Sequence, residues 1–575
     1  KNYKNRGIQY QSENMLSSKK ILTYSRYVIH RARYKHKYQV TLDPGVEKEL
    51  ESGKLKHKLH PGIVPNKVRA LPARLQYAIE KLLSDYPVKN LSIKSDALAK
   101  YLTSRQLAVE DHVIQSKGIS IEQDILKKEM EKMVKKHGNE LTDEVLEGMN
   151  KRVKAASLKT LKTRVYNWKP MEYSAFDTIC YLLGCGVQQY HVLRHIFTQI
   201  SQRDPDFNPN RLFDFGSGVG TATWAANQVW RKSLVEHYCV DKSSDMNTLA
   251  KLLLLGGDEN NEQMAFKGVF FKEFFRPESN TRQYDVVVSA YSLMELKHTK
   301  DRLEVVESLW KRTNGYLVLV EYGSNAGFQC IHEARDHILQ LNAQQSLVEG
   351  ADFEGGHVFA PCPHELPCPR FTQEKKTPCN FPIRYKKLTN TQNLNDGNVK
   401  TDVYSYLVMK RGPRTDPSLS WPRVVREGVN PKHCSYCRVC TSTGTLDEAI
   451  ISKGKSGKHL YKVAKYTAWG DRLPVKDTPQ SEKDNLHPMD TDSETLKNVV
   501  ADDLNHTDGN QRLKDTDSLS HATRTNTTTK QDFEKSNNNP PKDDDKQTEL
   551  SQTSNTTECI DSHVDESVTR YFNST

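Results

Sequence analysis

Apolar residues bunch into four short runs in the middle of the chain, and helix-patterned stretches separate them. Arg211-Leu-Phe-Asp-Phe215, His237-Tyr-Cys-Val-Asp241, Tyr284-Asp-Val-Val-Val-Ser-Ala290 and Gly315-Tyr-Leu-Val-Leu-Val-Glu321 read as strands. Met246–Leu255 and Leu303–Arg312 place apolar side chains at helical spacing between them, the latter through Leu303, Val306, Leu309 and Trp310. Continuous Val/Leu runs alternating with helices predict an α/β core of parallel strands buried on both faces. Upstream the pattern is helical: Leu71–Leu83 (stopped by Asp85-Tyr-Pro87), Ser120–Gly138, Thr142–Val165 with Thr142 as N-cap, and Ser174–Ser201. Downstream, short strands are expected around Val403–Met409 and Thr445–Ile451.

The first core strand carries the most informative motif. Its carboxylate, Asp214, is followed by Phe215-Gly-Ser-Gly-Val-Gly220 and then a helix opening at Thr221. Gly216, Gly218 and Gly220 let the backbone approach a ligand where a Cβ would collide, with Ser217 between them. Asp214 is placed for a ligand's amino group, and Asp241, at the end of the second strand, for ribose hydroxyls. Acid first and glycines after fits S-adenosylmethionine (SAM) better than a dinucleotide, whose glycines precede an acid about 20 residues on. A glycine-rich turn alone is weak evidence. Loop, second acid and strand order together favour a Rossmann-like class I SAM-dependent methyltransferase core over an α/β sheet that merely carries glycines.

Charge adds a partner. The net charge is +11 over 575 residues, yet residues 476–575 hold 21 Asp/Glu against 11 Lys/Arg, a net of −10, which leaves +21 on residues 1–475. So basic a body favours a polyanion, with RNA the first choice. The polar, aromatic-poor tail lacks the apolar surface to offset chain entropy and is expected to be disordered. The first forty residues contain ten Lys/Arg and one acid, Glu13, as in a mitochondrial targeting context or a nucleic-acid-binding arm. The start at Lys1 rather than Met implies a removed or omitted upstream segment. No apolar run reaches 18 residues, so no membrane span is expected.

Six of the eleven cysteines fall between 362 and 440: Cys362, Cys368, Cys379, Cys434, Cys437 and Cys440. Neighbouring prolines stiffen three of them, which lowers the entropy cost of gathering thiolates around an ion. Only Cys434, Cys437 and Cys440 have zinc-knuckle spacing, whereas the wider 362/368/379 set suits a cubane whose corners each take one thiolate. Spacing alone leaves zinc and an iron–sulfur cluster open. His364 and His433 read as solvated loop residues with ligation as the alternative.

These motifs resemble the mitochondrial methyltransferase-like protein 17 family, related to small-ribosomal-subunit methyltransferase-like proteins of yeast and bacteria. The resemblance is carried by Asp206-Phe207, Leu212–Ala225, Leu319-Val-Glu-Tyr-Gly323, Pro361-Cys-Pro-His-Glu365 with Cys368-Pro, Pro378-Cys-Asn-Phe381 and Tyr466-Thr-Ala-Trp-Gly-Asp471, and spans about Leu71 to Pro474. It implies a mitochondrial matrix protein that binds SAM and a 4Fe-4S cluster and acts, as a monomer, on the small mitochondrial ribosomal subunit and its rRNA. The family's first three cluster cysteines match Cys362, Cys368 and Cys379. Its fourth precedes a glycine by four positions, which points to Cys440 before Gly444, with Cys437 as second choice. One departure is Tyr322-Gly-Ser-Asn after Glu321, where the family commonly has Pro-Gly-Thr-Pro.

Turnover is less legible. Ser289-Ala-Tyr-Ser-Leu293 lacks the Asn/Asp-Pro-Pro-Tyr signature of amino methylation, Cys362 is assigned to the metal centre rather than to nucleophilic attack, and no general base stands out. Tyr291 reads as strand-end packing or as a stacking surface for a base. An rRNA methyltransferase and a non-catalytic RNA-binding assembly factor therefore both stand, with a zinc protein behind them. The expected organisation is a basic arm (1–60), a helical region (61–205), the methyltransferase core (206–350), a cysteine-rich metal-binding extension (351–475) and an acidic tail (476–575).

Overall fold

The computed structural model describes residues 38–477, apart from residue 85 and residues 139–141, 275–281, 346–354, 373–376 and 389–398. Residues 1–37 and the acidic tail beyond residue 477, for which an arm and disorder were expected, lie outside the described residues.

The chain opens with β1 (Val40–Leu42) and α1 (Pro44–Glu51), the helix capped by Asp43 and started by proline at its first turn. The helices that follow are α2 (Ala73–Leu83), α3 (Val88–Ser104), α4 (Asp111–His137), α5 (Asp143–Arg164) and α6 (Ala175–Tyr181). A π turn (Leu182–Gly186) joins α6 to α7 (Val187–Arg203). Helix α4 begins nine residues before the expected Ser120 because Ile114 and Ile121, two turns apart, both bury against Leu161 of α5 and Val165 just past its end. Thr142 does occupy the N-cap of α5, but its side chain makes no cap bond to the helix.

The core then alternates: β2 (Arg211–Phe215), α8 (Thr221–Trp230), β3 (Glu236–Val240), α9 (Ser244–Leu254), β4 (Val269–Lys272), β5 (Tyr284–Ala290), α10 (Thr299–Lys311), β6 (Thr313–Tyr322) and α11 (Asn325–Gln345). Three strands follow from the expected extension: β7 (Gly356–Ala360), β8 (Phe381–Lys386) and β9 (Val399–Arg411). They complete the core sheet, whose order is β4-β3-β2-β5-β6-β9-β7 with β8 also on β9. Strands β2 to β6 are parallel to their neighbours, and β9 is antiparallel to β6, β7 and β8. A boundary at residue 350 would therefore cut the sheet: the long β9 covers what would otherwise be an open edge at β6.

Alternation along the strands divides the interior in two. Leu212, Val286, Val288, Val318 and Val408 face the N-terminal helices, whereas Phe213, Val287, Leu317, Leu319 and Met409 face α10 and α11.

A smaller unit follows, made of β10 (Arg423–Val424), β11 (Cys434–Cys440), β12 (Leu446–Ser452), α12 (Lys453–Ser456), α13 (Lys458–Tyr466) and β13 (Val475–Asp477). β10, β11 and β12 form an antiparallel sheet, and β13 pairs with β1 from the other end of the chain. Leu42, Val46 and Leu50 pack with Val439, Ile451, Leu460 and Val463 in one cluster. The segment from Val40 to 60, read from sequence as the end of a free basic arm, is thus a structural part of this unit; its apolar residues are worth more buried than exposed. Among the described residues no helix is long and apolar enough to cross a membrane.

Candidate cofactor loop and four-cysteine centre

The glycine loop sits at the carboxyl end of β2, in the middle of the parallel strands, where open α/β sheets bind ligands. Gly216, Gly218 and Gly220 take φ of 70°, 50° and 77°, the left-handed region that side chains rarely adopt. The amides of Gly216 and Ser217 donate to the Val240 carbonyl at 2.8 and 3.0 Å, tying the loop to β3. Gly218 N–H donates to Asp241 Oδ2 at 2.8 Å, and Ser243 N–H donates to Asp241 Oδ1 at 2.9 Å. Asp241 therefore braces the loop.

Two polar atoms at the loop have no partner and no access to water: Asp214 Oδ2 and Ser217 Oγ. Buried polar groups are normally satisfied, so an orphaned pair beside a glycine cradle marks a place for a polar ligand group. Burial, and then the charge of Asp241, push the Asp214 carboxyl up to about 8. The residues present fit an adenosyl-methionine group: Asp214 and Ser217 would meet its polar atoms and Asp241 its ribose, and when bound it would supply an electrophilic methyl.

The raised Asp214 pKa makes a stability prediction. Between pH 4 and pH 8 the folded chain keeps a proton there that the unfolded chain releases, so the fold loses stability as pH rises through that window. Asp214→Asn cannot titrate. Wild type should therefore lose more stability than the variant between pH 5 and pH 8, by on the order of a few kcal/mol. Urea midpoints of both proteins at the two pH values test this, and parallel slopes would refute it.

In front of the loop, tyrosines close the space. Tyr173, Tyr181, Tyr291 and Tyr322, with Arg105 and Glu295, line a cavity of about 10 Å³, room for roughly one water. Tyr291 holds a left-handed φ of 60°, unusual for a bulky residue, and packs its ring 4.7 Å from that of Tyr322. Its hydroxyl is buried without a partner. Of the two readings offered by sequence, packing is what the structure displays. Glu321, fully buried and pushed up to about 8 by that burial, accepts from Leu293 N–H at 2.9 Å and Met294 N–H at 3.3 Å. It thereby fixes the turn after β5, a role that an acid at the end of an apolar run does not announce.

The cysteines converge through the sheet's edge. β7 and β8 lie end to end along the outer side of β9, with Ala360 opposite Val408 and Phe381 opposite Tyr404. The chain between them must loop out of the sheet, and that loop carries Cys362, Cys368 and Cys379. Cys440 arrives at the end of β11. Arg423, its register partner on β10, donates through Nε to the Pro361 carbonyl at 2.9 Å, joining the small sheet to the loop. Burial raises the Cys368 thiol to about 11 and the Cys379 thiol to about 12, and neighbouring thiols add to both shifts: Cys362 at Cys368, Cys362 and Cys368 at Cys379. Cys440 is raised likewise, by burial first and then by Cys362, Cys379 and Cys368. All four sulfurs thus feel one another. Among the described residues, no group of three or more His, Cys, Asp or Glu side chains is arranged to hold a metal ion.

Strand alternation separates the two choices for the fourth cysteine. Cys437 and Cys440 are three apart on β11, so they point to opposite faces. Cys437 joins Val439 and Ala449 in the small unit's core, its sulfur 3.9 Å from the Ala464 carbonyl. Cys434, half-buried, lies at the far end of β11.

Positive charge surrounds the thiols. Arg335 donates to the carbonyls of His364 and Leu366 at 3.1 and 2.9 Å, and its charge acts on Cys362 and Cys368. The charge of Arg370 acts on Cys379 and Cys440, and its backbone N–H donates to Cys368; Arg414 acts on Cys362 and Arg426 on Cys379. Four thiolates need such compensation when metal draws them into the ionised form. His364 is buried, with Nε2 3.3 Å from Cys440 Sγ, and so corrects the solvated reading; His433 is exposed, as read. The arginines escaped sequence reasoning because they are scattered from 335 to 426 with no shared motif.

Sheet order, antiparallel β9 and glycine loop together define a class I methyltransferase-type fold. The family model described as mitochondrial small ribosomal subunit Rsm22 matches residues 175–474. Human mitochondrial ribosome assembly protein METTL17 is 35% identical over 439 residues, 76% of this chain and 90% of that protein. This chain belongs to that family, the mitochondrial methyltransferase-like Rsm22 and METTL17 proteins. A Schizosaccharomyces pombe Rsm22-cox11 tandem protein is 28% identical over 247 residues, 36% of this chain but only 32% of its own length. Among solved structures, magnesium protoporphyrin IX methyltransferase from Synechocystis with bound SAM is 14% identical, covering 43% of this chain and 87% of the other at a TM-score of 0.25. That score leaves the fold assignment to the strand order itself.

Proposed function

We propose that this protein supports assembly of the small mitochondrial ribosomal subunit in the mitochondrial matrix, using a SAM-binding core and a 4Fe-4S centre held by Cys362, Cys368, Cys379 and Cys440. The observation that carries the reading is the convergence of those four thiols from two separate sheets, within a ring of arginines, in a chain of the METTL17 family. The wide sequence spacing of Cys362, Cys368 and Cys379 accommodates a cluster, in which each thiolate binds its own iron. The basic body supports rRNA as the partner. The name of the human relative supports mitochondrial ribosome assembly.

A second reading, an assembly platform without turnover, is supported by the tyrosines before the glycine loop, which leave a cavity of about 10 Å³, room for roughly one water. One experiment addresses both. Cross-linking in mitochondria followed by sequencing of the bound RNA should recover small-subunit rRNA. Mapping rRNA methylation in cells that carry only Asp214→Asn then divides the readings: a lost mark with intact subunits favours the enzyme, and normal marks favour the platform. Absence of small-subunit rRNA from the cross-links would overturn the proposal.

A further inference from the structure

Residues 52–72 and 453–470 contain no acidic residue and hold five Lys/Arg each. They are about 400 positions apart in sequence, and the small unit brings them together. The His57 and His459 rings stack with centroids 5.1 Å apart, Nε2 of the first 3.1 Å from Nδ1 of the second. Burial and the adjacent charges of Lys462, His459 and Lys458 together lower the His57 pKa. Helix α13 turns Leu460, Val463 and Ala464 into the unit's core, while Lys458, Lys462 and Lys465 follow one another at i, i+4 and i+7 along another face. Lys56 and Lys58 flank His57 and are exposed, as are Lys458 and Lys465. None of these four exposed lysines pairs with a carboxylate among the described residues, although ion pairs occur elsewhere on the surface.

We propose that the face formed by Lys56, Lys58, Lys458, Lys462 and Lys465 grips the phosphate backbone of RNA. This rests on the rRNA partnership proposed above and names the surface that makes it. Charge complementarity identifies the occupant: a dense positive face without acids suits a polyphosphate backbone, where each bound phosphate releases condensed counterions. Exposed Tyr466, at the end of the same helix and 53% accessible, offers a stacking surface for an unpaired base. An anionic membrane is the poorer fit, because interfacial helices bury their apolar face in lipid and that of α13 is already buried in protein.

The surface is mechanically tied to the cysteine centre. Helix α13 packs on the side of β11 that carries Cys437 and Val439, and Cys440 ends the same strand on its opposite side. Pinning β11 from one side therefore steadies the lysine face on the other.

The test uses the full-length chain and an in vitro transcribed mitochondrial small-subunit rRNA, with affinity measured across a salt series. K56Q/K58Q/K458Q/K465Q should weaken binding at least about tenfold at physiological salt and make the log–log salt slope shallower by about 3. K127Q/K128Q/K135Q, on the exposed face of α4, should change neither. If the quadruple variant fails to fold, K458Q/K465Q alone carries the test with about half the slope change. Equal losses in the α4 control, or an unchanged slope in the patch variants, overturn the proposal while leaving the rRNA reading standing. A wild-type chain that binds no RNA overturns both. Binding to cardiolipin-containing phosphatidylcholine vesicles that the patch variants abolish, with RNA affinity unchanged, assigns the face to a membrane and refutes it.

Discussion

Replacing Cys440 with serine is expected to leave the purified chain without iron, whereas Cys437→Ser stays brown. Both residues lie on β11 and both are buried, so neither spacing nor burial distinguishes them. What distinguishes them is the two-residue period of a strand, which sends Cys440 toward Cys362, Cys368 and Cys379 and sends Cys437 into an apolar core beside α13. Anaerobically prepared wild type and Cys437→Ser should carry about four irons per chain and absorb near roughly 400 nm, and Cys440→Ser should do neither. Stability should follow. Metal ligation that joins Cys379 to Cys440 closes a loop of about 60 residues, worth on the order of 4 kcal/mol in chain-entropy terms. Cys440→Ser should consequently unfold at clearly lower temperature, and Cys437→Ser should show only the smaller cost of a polar atom in a core. Retention of iron by Cys440→Ser would remove the proposed ligand set. Stoichiometric zinc in wild type would replace the cluster with the alternative metal.

Gly216→Ala should weaken SAM binding about a hundredfold. The new Cβ would lie 2.4 Å from Ser292 Cβ and 2.9 Å from its hydroxyl, at a φ of 70°. Ser292 cannot simply swing away: its hydroxyl bonds Ser289 Oγ at 2.7 Å and the Phe215 carbonyl at 3.2 Å, so it belongs to the same loop junction. The left-handed backbone costs an alanine about 1–2 kcal/mol and the overlap about 1–3 more. A displacement of that cost, on the order of 3 kcal/mol, corresponds to a loss of about a hundredfold in affinity if borne by the bound state. Calorimetric titration with SAM measures it. Gly412→Ala is the control, since Gly412 has φ of 86° with nothing within 4 Å of its would-be Cβ. It should lose a little stability and bind SAM as wild type does. A Gly216→Ala protein with wild-type affinity would mean that the loop is not the cradle.

Local chemistry was largely legible beforehand. The Val/Leu runs of β2, β5 and β6 announce buried parallel strands because both faces of such strands are covered, and Asp214 with three glycines announces a tight backbone turn because no other residue occupies it cheaply. Cys362, Cys368 and Cys379 were visible as a set because they share one loop. The division at residue 350 was not recoverable, because β7, β8 and β9 become part of the core only by pairing across α11 and a long cysteine loop, a contact that leaves no periodic trace. The same holds for the pairing of β1 with β13, which turns the supposed end of an arm into structure.

Sequence by itself thus determined which residues carry acid, thiol and glycine chemistry, and that β2, β3, β5 and β6 are strands separated by helices, since those follow from side-chain type and local period. Tertiary structure alone decided which face of β11 meets the thiols, that Arg335, Arg370, Arg414 and Arg426 surround them, that tyrosines close the space before the glycine loop, and that two acid-free segments form one basic face. Each of these depends on contacts between residues far apart in the chain, and such contacts are set by packing whole elements together rather than by any local pattern.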